Sequence, residues 1–72
     1  MCITDLGLKQ KGIIFSIDTA DPYVQRLMTM GLVEGTIIEH LSTAGSTYEF
    51  QIMGATIAFS KEQAQHFTVE PV

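Results

Sequence analysis

The sequence has no tryptophan, one cysteine and two prolines among its 72 residues. The lone thiol, Cys2, offers no internal disulfide and no Cys-x-x-Cys zinc pair. A small domain without such cross-links fits a reducing compartment, so the expected location is the cytoplasm. Basic residues are also scarce. Lys9, Lys11, Arg26 and Lys61 stand against eight acidic residues, for a net charge of −4. Phosphate backbones and anionic lipid surfaces are held by clusters of Lys and Arg, so nucleic acid and a charged membrane surface are not expected partners. No apolar run approaches the ~18 residues of a membrane-spanning helix, so direct membrane insertion is not expected. The opening Met1-Cys2-Ile3-Thr4-Asp5 lacks the basic and then apolar pattern of a signal peptide.

Catalytic groupings are missing as well. None of Ser16, Ser42, Ser46 and Ser60 lies in a Gly-x-Ser-x-Gly elbow. Cys2 reads as a surface thiol near a mobile terminus rather than a nucleophile paired with His40 or His66. Asp18 and Asp21 flank a helix start, where capping explains them. No catalytic residue is assigned and the chain is not expected to be an enzyme. Glu39 and His40 are neighbours on a strand, so their side chains leave on opposite faces and do not chelate one ion together. His40 and His66 are therefore weak candidates for a transition metal such as Fe(II), and no resident cofactor is expected.

Apolar residues make up 46% of the chain, cut into short pieces by glycines and polar residues. One domain, residues 1–72, fits this length. Gly12 to Asp18 alternates at period two and predicts a strand with Ile13, Phe15 and Ile17 inward. Asp21 as N-cap and Pro22 at the first helical position open a helix that runs to about Met30. Tyr23, Leu27 and Met30 form its inward stripe, with Val24 and Met28 beside it. Gly31 ends it in a Schellman frame that places Leu32 against Leu27. Strands are expected over Thr36–Ser42, Thr47–Met53 and Ala55–Phe59, joined by a hairpin at Thr43–Ser46 and a turn at Gly54. On the second of these, Tyr48, Phe50 and Ile52 point inward. Ser60 and Gln63 form a Ser-x-x-Gln capping box that starts a helical turn. Phe67–Glu70 is the last strand, stopped by Pro71. Five strands in so short a chain must manage their edges, and a small barrel does so by pairing the first strand with the last.

The run Arg26-Leu27-Met28-Thr29-Met30-Gly31-Leu32-Val33-Glu34-Gly35-Thr36-Ile37-Ile38 resembles the central signature of the FeoA family, the small proteins of bacterial ferrous iron uptake. Leu6-Gly7-Leu8-Lys9-Gln10-Lys11-Gly12 resembles the family's opening, and Gly54 to Val69 its ending. Glu34 departs from the proline often found before that glycine, and the Thr43–Ser46 loop is short. The resemblance implies a mainly β, SH3-like small barrel of about five strands. One short helix would follow the first strand and a helical turn would precede the last. It also implies an accessory role beside a FeoB-type membrane GTPase and permease, at its cytosolic side.

The leading expectation is thus a protein-interaction module. Its contact surface is placed on the helix and following turn at Val24, Arg26, Met28, Leu32 and Glu34. Leu27, Met30, Gly31, Gly35 and Gly54 form the structural signature. The alternative is a small barrel that binds a transition metal directly or senses iron. A module that grips proline-rich peptides ranks last, because its exposed aromatics are not expected where Phe15, Tyr48 and Phe50 face inward. Homo-oligomer formation is left open.

Overall fold

The computed structural model describes residues 1–72. A 3-10 turn at Ile3–Asp5 leads into β1 (Lys11–Ile17), α1 (Pro22–Thr29), β2 (Ile37–Ala44), β3 (Thr47–Ile52), β4 (Ala55–Ser60), α2 (Lys61–Ala64) and β5 (Phe67–Pro71). The five strands form one antiparallel sheet in the order β4-β3-β2-β1-β5. The first and last strands of the chain pair, as expected, but that pairing does not remove the edges: β4 and β5 remain the outer strands.

β3 shows why this sequence folds this way. Phe50 and Ile52 are buried and Gln51 is exposed, so the period-two pattern seats one face of the strand in the core. Its two connections are short. Gly45-Ser46 joins β2 to β3, and Met53-Gly54 joins β3 to β4. Met53 and Gly54 both have positive φ, 52° and 79°, the requirement of a type I′ hairpin turn. Phe50, Phe59 and Phe67 then pack edge-on in series, with ring centroids 5.8 and 5.2 Å apart, through the middle of the core.

The helix is bounded as its sequence dictates. Asp21 Oδ1 accepts a bond from the Tyr23 N–H at 2.7 Å, and Pro22 occupies the first turn. At the other end the Gly31 N–H donates to Met28 O and the Leu32 N–H to Leu27 O, both at 3.1 Å. These are the two bonds of a Schellman motif, closed by Gly31 at φ 108°. Ser60 and Gln63 exchange their capping-box bonds at 3.0 and 3.1 Å to start α2.

Four expectations are corrected. In β1 the inward residue is Ile14, while Ile13 faces out and Phe15 is 55% exposed. Gly12 explains the phase. A Cβ there would meet Glu70 O at 3.2 Å and Val69 Cβ at 3.3 Å, so this face of the strand presses on β5. Ile14 shares that face, and a bulge at Phe15 interrupts the ladder beyond it. In α1, Val24 is fully buried beside Leu27, whereas Met30 is the C-cap and 68% exposed. Pro71 does not stop β5 but lies within it, opposite Gly12. The amino-terminal segment is part of the fold, since Ile3 and Leu6 are core residues and Cys2 bridges to Thr68.

Candidate functional site

The outer side of the β1–β2–β3 sheet holds a shallow groove of about 190 Å³. Register builds it. Lys11 lies opposite Glu39, and Glu39 opposite Gln51, which sets a polar row across three strands. Ile37, paired with Ile13, and Met53, from the I′ turn, supply the apolar wall. Ile37 is 52% and Met53 57% exposed. Apolar side chains this open, next to one another and to Ile13, form a patch rather than scattered contacts. Glu39, Gln51 and Lys11 frame it with polar groups, the arrangement of an interface core with a polar rim.

This groove is coupled to the end of α1. A Cβ placed on Gly31 would meet both Sδ and Cε of Met53 at 3.3 Å, so the thioether lies against the helix cap. The turn after it is stitched to β1. The Gly35 N–H donates to Ile14 O at 2.6 Å, and the Ile14 N–H donates to Thr36 O at 2.9 Å. Gly35 takes φ 93° to do this. Helix cap, turn and groove therefore form one continuous region.

The residues expected to meet a partner divide sharply. Val24 and Leu32 are fully buried and cannot touch another molecule. Both are core pins: Val24 under the helix, Leu32 as the apolar contact of the Schellman cap. Met28 is half-buried, and Arg26 and Glu34 are exposed. Of the signature residues, Leu27 is core, Gly31, Gly35 and Gly54 all have positive φ, and Met30 projects outward. Ile13, Phe15, Ile37 and Met53 were missed. One signal was available: Ile37 stands out of phase with Ile38 and His40, so the pair Ile37-Ile38 puts an isoleucine on each face. The exposed ring of Phe15 also removes the reason for ranking an aromatic-bearing surface last, while Phe50 remains in the core.

The metal candidates do not converge. His40 is buried, with Nδ1 2.9 Å from Leu6 O and Nε2 2.8 Å from Thr43 Oγ1 and 3.2 Å from Ser42 O. Its ring stacks on Phe50 at 5.1 Å. Both nitrogens are engaged, so His40 is a satisfied core residue and not a free ligand. His66 stands between Asp18, 3.4 Å from Nδ1, and Asp21, 3.6 Å from Nε2. The two carboxylates face opposite edges of the ring and cannot share one ion with it. No three His, Cys, Asp or Glu side chains are grouped to hold a metal. The Cys2 thiol donates to Ala64 O at 3.4 Å and accepts from the Thr4 hydroxyl at 3.3 Å, so it is held in place rather than mobile. No helix is long and apolar enough to cross a membrane.

Comparison with known proteins agrees with this architecture. The FeoA domain family matches residues 1–71. The crystal structure of an iron uptake regulatory protein, FeoA, superimposes with a TM-score of 0.84 at 25% identity, covering 100% of this chain and 96% of that one. The solution structure of FeoA from Chlorobium tepidum gives 0.88 at 27% identity, covering 100% and 70%. FeoA from Stenotrophomonas maltophilia, solved with zinc and described as a prokaryotic SH3 domain protein, gives 0.85 at 20% identity, covering 97% and 89%. The fold is thus a mainly β, SH3-like one. No curated protein matches the chain.

Proposed function

The chain belongs to the FeoA domain family, whose members serve ferrous iron transport, and we propose that it is a non-enzymatic accessory protein of ferrous iron uptake. It acts in the cytoplasm by binding the cytosolic part of a FeoB-type membrane GTPase and permease. The observation that carries this reading is the exposed apolar patch of Ile37 and Met53 beside the Gly31 cap. Surfaces of this kind are matched to partners, and a fold this small has few others to offer. Arg26 and Glu34, exposed on the adjoining helix and turn, supply polar contacts at its margin.

The test is a calorimetric titration of the chain against the cytosolic region of the permease, under reducing conditions, with and without guanine nucleotide. Burying an Ile side chain stabilises a contact by about 1.5–3 kcal/mol, so Ile37→Lys is expected to weaken binding about tenfold or more. Its melting temperature should stay at that of the parent, since Ile37 points away from the core. Absence of binding in both nucleotide conditions overturns the proposal. Binding that Ile37→Lys and Met53→Lys leave unchanged moves the contact away from this groove.

A further inference from the structure

The sheet has two edges, and they are protected unequally. Edge strands display unpaired N–H and C=O groups, and proteins blunt them with charges, proline, bulges or a covering segment. β5 has every one of these devices. It carries Glu70 and Pro71 and pairs with β1 through a bulge. Its outer side is taken by the amino terminus: the Val69 N–H donates to Met1 O at 2.7 Å, the Met1 ammonium donates to Val69 O at 3.1 Å, and Cys2 bridges Thr68. β4, with the sequence Ala-Thr-Ile-Ala-Phe-Ser, has no charge and no proline. Its register with β3 runs unbroken from Ile52↔Ala55 to Thr47↔Ser60.

Ladder parity identifies the free groups. The two-residue turn makes Ile52 and Ala55 a hydrogen-bonded pair, and alternation then aims the backbone groups of Thr56, Ala58 and Ser60 away from β3. Two of these are satisfied within the chain. The Ser60 N–H donates to Gln63 Oε1 at 3.0 Å, and Ala58 O accepts from the Tyr23 hydroxyl at 2.9 Å. The N–H and C=O of Thr56 and the N–H of Ala58 have no partner in the chain.

We propose that β4 is a self-association edge, pairing antiparallel with β4 of a second copy about a two-fold axis at Ile57, and that the Tyr23 hydroxyl is a strap over that edge. A second copy is the occupant that matches. In this register each Thr56 opposes Ala58 of the other copy, so the free groups of both strands meet in four N–H···O bonds. The two Ile57 side chains face each other at the axis, a favourable β-branched pair. Ile57 is half-buried at the margin of the core, which leaves apolar surface for its counterpart to cover. In a chain of net charge −4, β4 opposes no like charges when paired with itself, and it offers no charged group to an acidic or basic segment. The contact is isologous and closes at a dimer. To complete it, the Tyr23 hydroxyl releases Ala58 O. The proposal is independent of any interaction with the permease.

Such a strand pair buries less than the ~800 Å² per partner of a standard interface, so a weak dimer with Kd of about 0.1–1 mM is expected. Sedimentation equilibrium and concentration-dependent amide shifts at Thr56 and Ala58 read it out. Tyr23→Phe, which frees Ala58 O, should tighten the dimer about fivefold. Ala58→Pro removes an edge donor without touching the β3 ladder and should weaken it at least about tenfold. The double variant Thr56→Lys, Ala58→Lys sets lysines against lysines across the axis, and it should be monomeric with the parent's melting temperature. The proposal is overturned if the parent and Tyr23→Phe are both monomeric at about 1 mM. It is equally overturned if a dimer forms that neither the proline nor the double lysine variant weakens.

Discussion

Gly31 offers the sharpest test of how the helix end is built. It sits at φ 108° with its N–H bonded to Met28 O at 3.1 Å, and it positions Leu32 in the core. An L side chain in left-handed backbone costs roughly 1–2 kcal/mol. Steric conflict adds little, because the atoms that a Cβ would meet at 3.3 Å are Sδ and Cε of Met53, the free end of a flexible chain. Against this, alanine restricts the unfolded chain and recovers about 0.4–1 kcal/mol. Gly31→Ala should therefore cost about 1 kcal/mol, and Gly31→Val about 2 kcal/mol because a β-branched residue tolerates positive φ less. For a domain of this size that is a fall in melting temperature of about 4–8 °C for alanine and roughly twice that for valine. The assay is thermal unfolding by circular dichroism, run beside a chemically synthesised chain with D-alanine at the same place. D-alanine prefers positive φ and should melt at or above the parent. An L-alanine variant that melts with the parent, or a D-alanine variant that falls with the L-form, would refute the argument that backbone conformation is what Gly31 supplies.

Other substitutions probe other joints. His40→Ala leaves Leu6 O without its imidazole partner and empties the space stacked on Phe50, so chemical denaturation should show a loss of about 3 kcal/mol. Ser60→Ala should cost about 1 kcal/mol, and a double-mutant cycle with Gln63→Ala should give less than the sum, because the two side chains cap each other. Phe15→Thr should change stability by no more than about 0.5 kcal/mol in urea unfolding, whereas Phe50→Ala should cost about 3–5 kcal/mol. Equal costs at the two phenylalanines would contradict the assignment of the faces of β1.

Local chemistry was the legible part of this fold. Asp21-Pro22, Gly31-Leu32, Ser60 with Gln63, and the alternation of β3 each carry their physics within a few residues, and each stands in the structure where the pattern places it. β1 failed because Ile13, Ile14, Phe15 and Ile17 are apolar on both faces, so periodicity offers two phases and only contact with β5 selects one. The helix face failed for a similar reason. Val24, Leu27 and Leu32 define the buried line once Gly31 folds Leu32 back, and Met30 is left outside it. The candidate groove was harder still. Its apolar wall joins Ile37 from one strand to Met53 from a distant turn, and register alone brings them together. For His40, the sequence supplied a metal-binding side chain, but the Leu6 carbonyl that occupies its Nδ1 comes from 34 residues away.

The strand order also carries a history of assembly. β2, β3 and β4 are joined by two-residue turns, so their pairing closes almost no loop. β1 meets β5 only after nearly the whole chain has been gathered, with Gly12 opposite Pro71. Loop closure grows costlier with length and is met before the contacts it enables, so the barrier to folding belongs to that last union. The expected kinetic signature is a meander already formed at the barrier. Substitutions along β3 should then slow folding, and those that loosen the seat of Gly12 against Val69 should mainly hasten unfolding. The bare side of Gly12, the place where no side chain fits, is thus the latch that fastens the last strand of the chain to a flexible three-stranded ribbon and completes the five-stranded sheet.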